Sequence, residues 1–134
     1  MLQNIRRVHT EDAPAALGPY SQGIRTSGLG TFYLSGQIGL DPKTGELKEG
    51  IEAQANQAFD NLFAVAKAAM GPMNNIAEPP FAKLTLFLTD LKDFQTVNAI
   101  MQARFKEPYP ARSTVQVSAL PKGAVFEVEG ILAL

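Results

Sequence analysis

Residues 51–69 hold the longest periodic pattern in the chain. Ile51, Ala55, Phe59, Leu62, Ala66 and Ala69 recur at three- and four-residue steps, the spacing of one buried helical face, while Glu52, Asn56, Asp60 and Lys67 fall elsewhere. Gly71-Pro72 stops the helix. A helix with one apolar stripe has to lie against another layer. The remaining segments read mostly as strands. Ile5–Thr10 is a short one, and 22–27 and 31–36 are two more around the turn residues Gly28 and Gly30. A turn-rich loop, 41-DPKTGELKEG-50, leads into the helix.

After the helix, 72-PMNNIAEPPFA-82 reads as a loop, because Pro79-Pro80 fits neither a helix interior nor a central strand. Residues 83–89 alternate like a strand. Asp90 can cap a second helix, with Asp93 in its first turn and Phe94, Val97, Met101 and Phe105 as its apolar stripe. Pro108 and Pro110 end it. Strands over 113–119 and 125–133 follow, joined by 120-LPKG-123. The order β-β-β-α-β-α-β-β predicts a single α+β domain over 1–134, with two helices covering one face of a mixed sheet. Along 125–133, Val125, Glu127, Glu129 and Ile131 share one face, opposite Phe126, Val128 and Leu132. The face without helices therefore carries apolar residues, and burying it calls for a homo-oligomer.

Composition narrows the chemistry. The 134 residues include 12 Lys plus Arg and 13 Asp plus Glu, a net charge of -1. That leaves no basic excess to neutralise a phosphate backbone, so no nucleic-acid partner is expected. With no cysteine, disulfides, thiolate zinc sites and cysteine nucleophiles are excluded. The first residues, MLQNIRRVHTEDAP, carry no apolar signal region, and no apolar run is long enough to span a bilayer. The expectation is a soluble cytoplasmic protein with no membrane partner. No metal-ligand spacing, phosphate-binding loop or nucleophile elbow is present. His9, the single histidine, is expected to be structural.

Three places carry candidate chemistry. Arg112, in 108-PYPARSTVQV-117, stands between a proline-punctuated turn and a strand-like run. Its planar fork suits a carboxylate held by two parallel hydrogen bonds, although a lone arginine is more often a solvated surface charge. Glu127 and Glu129 lie on one strand face roughly 6–7 Å apart. Burial there raises one carboxyl pKa toward neutrality, as a general acid–base requires; a solvated strand edge is the commoner arrangement. Ser35-Gly36-Gln37 closes a strand, where the glycine permits a ligand close to the backbone or marks a β-bulge.

Taken together, 13-APAALGPYSQGI-24, 34-LSGQIGLDPKTGEL-47, 54-QANQAFDNL-62, 83-KLTLFLTDLKDFQTVN-98, 107-EPYPARSTVQV-117, 120-LPKGA-124 and 126-FEVEGIL-132 resemble, in order and over nearly the whole chain, the RidA/YjgF family of reactive intermediate deaminases. The combination of S-G-Q, P-A-R-S and E-V-E is the specific part. The resemblance implies a chorismate-mutase-like fold, with a six-stranded mixed sheet carrying two helices. It also implies a homotrimer whose sheets form a central barrel, with sites between neighbouring subunits.

The implied reaction is hydrolysis of 2-imino acids, 2-iminobutanoate and 2-iminopropanoate, or their enamine tautomers, to 2-keto acids and ammonia. Neither cofactor nor metal takes part. Carried over from the family, Arg112 grips the substrate carboxylate, helped by the backbone at Thr114. Glu127 activates the attacking water. Tyr20 closes the pocket, Ser35 and Gly36 line it, and Asn98 supports it from the second helix. Two departures stand out. Thr114 replaces a cysteine frequent in bacterial relatives, and 77-AEPPFA-82 is longer than the usual connection, where it either reshapes the trimer rim or site entrance or, the favoured reading, is an inert surface loop. Two other functions attach to the same superfamily: non-catalytic binding of small carboxylates or regulation, and ribonuclease or translation inhibition.

Overall fold

The computed structural model describes residues 5–26, 30–71 and 78–133. Gly28, Pro72 and the part of the expected loop up to Ala77 lie outside them. Strands β1 (Ile5–Val8), β2 (Gly23–Thr26) and β3 (Thr31–Ile38) precede helix α1 (Ile51–Met70). Strand β4 (Phe81–Leu88), helix α2 (Phe94–Arg104), β5 (Ala111–Gln116) and β6 (Phe126–Ala133) follow. The strands form one six-stranded sheet in the order β1-β2-β3-β6-β4-β5, with only the β4–β5 pair parallel. The expected α+β architecture holds, including the element order.

Boundaries differ where local chemistry wins over periodicity. β4 begins at Phe81, directly after Pro80, two residues earlier than the alternation suggested. Asp90 accepts from the Lys92 backbone N–H as expected, but it caps a separate 3-10 turn, Leu91–Asp93, and α2 starts only at Phe94. β5 starts at Ala111 and ends at Gln116, so Arg112 lies inside a strand and not at its mouth.

The helix α1 follows its sequence pattern closely. Ala55, Phe59, Leu62 and Ala66 are fully buried, joined by Ala58, Val65 and Met70, which the sequence reading left out. Glu52 in its first turn and Lys67 in its last oppose the helix dipole. Gly71 takes a left-handed φ of 57° and its N–H returns to the Lys67 carbonyl, which a Cβ would hinder. Against this stripe pack Phe32 and Leu34 of β3, Leu84, Leu86 and Leu88 of β4, and Phe126, Val128 and Leu132 of β6. Burying each such side chain contributes about 1.5–3 kcal/mol.

On the opposite face, cross-strand partners place Tyr33 beside Ile131, Thr85 beside Glu129, and Phe87 beside Glu127 and Val115. Tyr33 is 49% exposed and Val115 41%, so apolar side chains stand on a face that no helix of this chain covers.

Where β3 turns toward α1, one buried amide ties two layers. Asn61, fully buried, donates to the carbonyls of Ile38 (3.1 Å) and Leu40 (2.8 Å) and accepts from Gln57 Nε2 (2.8 Å). Asn61→Leu strands both carbonyls while keeping the volume. We expect urea unfolding to show about 2–4 kcal/mol lower stability with an unchanged m-value.

Candidate active site

Arg112 and Glu127 belong to different faces of the same sheet. Arg112 pairs in parallel register with Leu84, a core residue, so its side chain rises on the helix side. There its Nη1 donates to Asn98 Oδ1 at 2.7 Å and approaches Met101 Sδ at 3.5 Å. The guanidinium lies 5.3 Å from the centroid of the Phe94 ring. A cavity of about 430 Å³ opens beside it, lined by Asn98, Met101, Gln102, Tyr109, Pro110 and Arg112. Among the described residues no carboxylate pairs with Arg112. Arg104, eight positions earlier, is the contrast: it meets Asp60 at 2.9 Å and three hydrogen bonds bind it to Asn56. One arginine is consumed by the fold and the other keeps its charge available.

Glu127 faces the other way, opposite Ile38 and Phe87. The register of β3 against β6 slips by one residue between Leu34 and Gln37, a bulge at Ser35-Gly36. Within the bulge, a Cβ on Gly36 would overlap the Glu127 carboxylate. The glycine thus permits close approach, as the sequence reading allowed, and what approaches is this chain's own glutamate. Burial is the main reason the Glu127 pKa is raised above the usual carboxylate value, and the like charge of Glu129 adds to it.

Glu127 lines a shallow pocket of about 160 Å³ with Tyr20, Gly36, Gln37, Ile38, Lys122 and the loop residues Pro14, Ala15 and Leu17. That loop is pinned by Gln22, only 2% exposed, which donates to the carbonyls of Thr10 and Pro14 and accepts from the Thr10 N–H. Ser35, expected to line the pocket, instead donates its hydroxyl to the Ser21 carbonyl and braces the same loop. Tyr20 and Leu17 stand 56% and 83% exposed at the pocket mouth.

One chain therefore gathers the expected residues in two places: Arg112 with Asn98, and Glu127 with Tyr20 and Gly36. Thr114 shares the Arg112 side of β5, with its Oγ1 buried and without a hydrogen-bond partner among the described residues. A pocket of 160 Å³ is below the roughly 300–1,000 Å³ of small-molecule sites. A further cavity of about 570 Å³ lies beside Phe63, Phe81 and Phe105 and contains none of these groups. His9 is half-exposed, 3.8 Å from Glu11, and belongs to neither place. No three His, Asp or Glu side chains converge as metal ligands among the described residues. Phe94, Gln22 and Lys122 were not singled out from sequence; Phe94 was read as core, and nothing in its spacing distinguishes it from Val97.

A family model described as Endoribonuclease L-PSP matches residues 10–134. The human 2-iminobutanoate/2-iminopropanoate deaminase is 44% identical over 129 residues, 95% of this chain and 89% of that protein. The Escherichia coli K12 protein of the same name is 45% identical over 129 residues, 94% of this chain and 95% of that one. The crystal structure of RidA from an Antarctic Psychrobacter superposes with a TM-score of 0.86 at 48% identity, covering 96% of this chain and 99% of that one.

The raised pKa fixes a sign for stability. Folded Glu127 holds its proton to higher pH than the unfolded chain does, so its favourable contribution is full below the ordinary value of 4.5 and is lost as pH rises through the raised value. Glu127→Gln removes that loss. Its Tm relative to the native chain is expected to climb from pH 4.5 to pH 7, and a flat difference in a pH series of thermal melts would contradict the burial of this carboxylate.

Proposed function

We propose that this chain, which belongs to the Endoribonuclease L-PSP family of RidA/YjgF proteins, hydrolyses 2-imino acids such as 2-iminobutanoate and 2-iminopropanoate, and their enamine tautomers, to 2-keto acids and ammonia. The observation that carries the reading is Arg112: held by Asn98, facing a cavity, and lacking a carboxylate among the described residues. A 2-imino acid supplies that carboxylate.

The chemistry asks little more of the protein. A protonated imine carbon is already electrophilic. Arg112 orients the substrate through its carboxylate, turning an encounter with water into a positioned one. Glu127, whose pKa burial raises above the usual carboxylate value, takes a proton as water adds to the imine carbon. It then returns that proton to nitrogen, and as the C–N bond breaks the new hydroxyl gives up its proton through Glu127 to the departing ammonia, leaving the 2-keto acid and an ammonium ion. Tyr20 closes the pocket over the reacting carbon. Gly36 provides the room that the Glu127 carboxylate occupies.

Both groups serve one substrate only if neighbouring copies meet. Their positions on opposite sheet faces, and the apolar face bearing Tyr33, Phe87, Val115 and Ile131, support an oligomer with sites between subunits, and membership of the family makes it a homotrimer in this reading. Arg112 then comes from one copy and Glu127 with Tyr20 from the next. The described residues include no helix long and apolar enough to cross a membrane, and we place the protein in the cytoplasm. Ribonuclease activity, the description of the family model, fits less well: the net charge is -1, and a phosphate backbone favours a basic surface.

Two measurements test the proposal. Keto-acid formation from imines generated in situ should be accelerated by the native protein, and Arg112→Ala should lower kcat/KM about 100-fold with its Tm unchanged. No acceleration by the native protein leaves a carboxylate-binding protein without turnover. Mixing unfolded Arg112→Ala and Glu127→Gln chains and refolding them together should restore part of the activity, because some interfaces combine both native residues. Inactive mixed oligomers would place each site within one chain.

A further inference from the structure

We propose that Phe94 is a positioning residue that holds the Arg112 guanidinium flat through its ring face, so that one edge of the fork is presented to a ligand carboxylate; this rests on the reading of Arg112 as the carboxylate clamp. Phe94 opens α2, and its ring is only partly buried against the core. The Arg112 guanidinium carbon lies 5.3 Å from its centroid, inside the range in which a ring quadrupole attracts a cation. One helical turn on, Asn98 takes the Nη1 end at 2.7 Å, and Met101 Sδ approaches the same nitrogen at 3.5 Å. Phe94, Asn98 and Met101 fall on one side of α2 at the helical spacing.

These three contacts do different things. Asn98 holds one nitrogen and so fixes rotation within the guanidinium plane. The Phe94 face fixes the plane itself. With Nη1 engaged, Nη2 and Nε remain without protein partners among the described residues. They form the edge that can meet both oxygens of a carboxylate in parallel. An arginine on an exposed edge strand otherwise samples many rotamers, and each would have to be given up on binding. The aromatic face removes much of that freedom beforehand and strengthens no bond in the reacting group. Its effect therefore belongs to ligand affinity and KM, with kcat little changed.

The test uses 2-oxobutanoate, which keeps the carboxylate and needs no turnover. Calorimetric binding is measured for the native protein, Arg112→Ala, Phe94→Leu, Phe94→Tyr, and chains carrying mono-, tri- and pentafluorinated phenylalanine at position 94. The fluorinated rings keep the shape of phenylalanine and progressively lose the negative face. Affinity is expected to fall about two- to five-fold across the fluorinated series and in Phe94→Leu, to be kept in Phe94→Tyr, and to vanish in Arg112→Ala. KM for the imino acid should rise by the same factor in the Phe94 variants at constant kcat. Equal affinity across the fluorinated series, with the native protein binding and Arg112→Ala not, overturns the role of Phe94 alone. Binding unaffected by Arg112→Ala, or no binding by the native protein, overturns the carboxylate reading of Arg112 and this inference with it.

Discussion

A strand sends successive side chains to opposite faces, and everything chemical in this protein follows from that alternation acting on a sheet with helices on one side. On β6, Phe126, Val128 and Leu132 go into the core and Glu127, Glu129 and Ile131 go outward. On β5, the same rule sends Arg112 toward α2 and Val115 toward the open face. Neither strand can bring its charged residue to the other's without breaking register, since a one-residue slip turns every core residue outward. The core thus dictates that a single chain holds Arg112 and Glu127 in two separate places.

The surroundings of Glu127 show how a backbone irregularity serves a side chain. The bulge at Ser35-Gly36 takes one residue out of the β3–β6 ladder, and the missing Cβ at Gly36 leaves the volume filled by the Glu127 carboxylate. That packing removes water from the carboxylate and raises its pKa, with Glu129 reinforcing the effect. An ionised, partly buried glutamate weakens the fold at neutral pH. A residue chosen for stability alone would be neutral there. Arg112 is placed by the opposite means: attractive contacts from α2 hold a charge that the strand alone leaves mobile.

The two arginines near the end of α2 illustrate how far sequence reasoning reaches. Arg104 stands in Ala-Arg-Phe-Lys and Arg112 in Pro-Ala-Arg-Ser, and neither local pattern shows which of the two the fold will pair with a carboxylate. Arg104 is bound by Asp60 and Asn56, side chains 44 and 48 positions away, and stacks near Phe59 and Phe63. Such partners are absent from any local window. Arg112 was a candidate from its fork chemistry, but the role of carboxylate clamp came from the P-A-R-S context, that is, by resemblance. The 3.6-residue periodicity of α1 needed no such help, because its buried face is written in consecutive turns of one element.

By itself the sequence determined the element order, the long helix, the α+β class and the two faces of β6, since each depends on neighbours within a few residues and on two simple periods. It also determined the family, through motifs spread along the chain. Only the tertiary structure decided that Arg112 lies within β5 and on the helix side, that Gly36 makes room for Glu127, that Ser35 braces a loop, and that Phe94 turns its ring to a cation. Those outcomes depend on register between strands and on which helix face meets which edge. Both are set by packing the whole core at once, a condition that no local stretch of sequence contains.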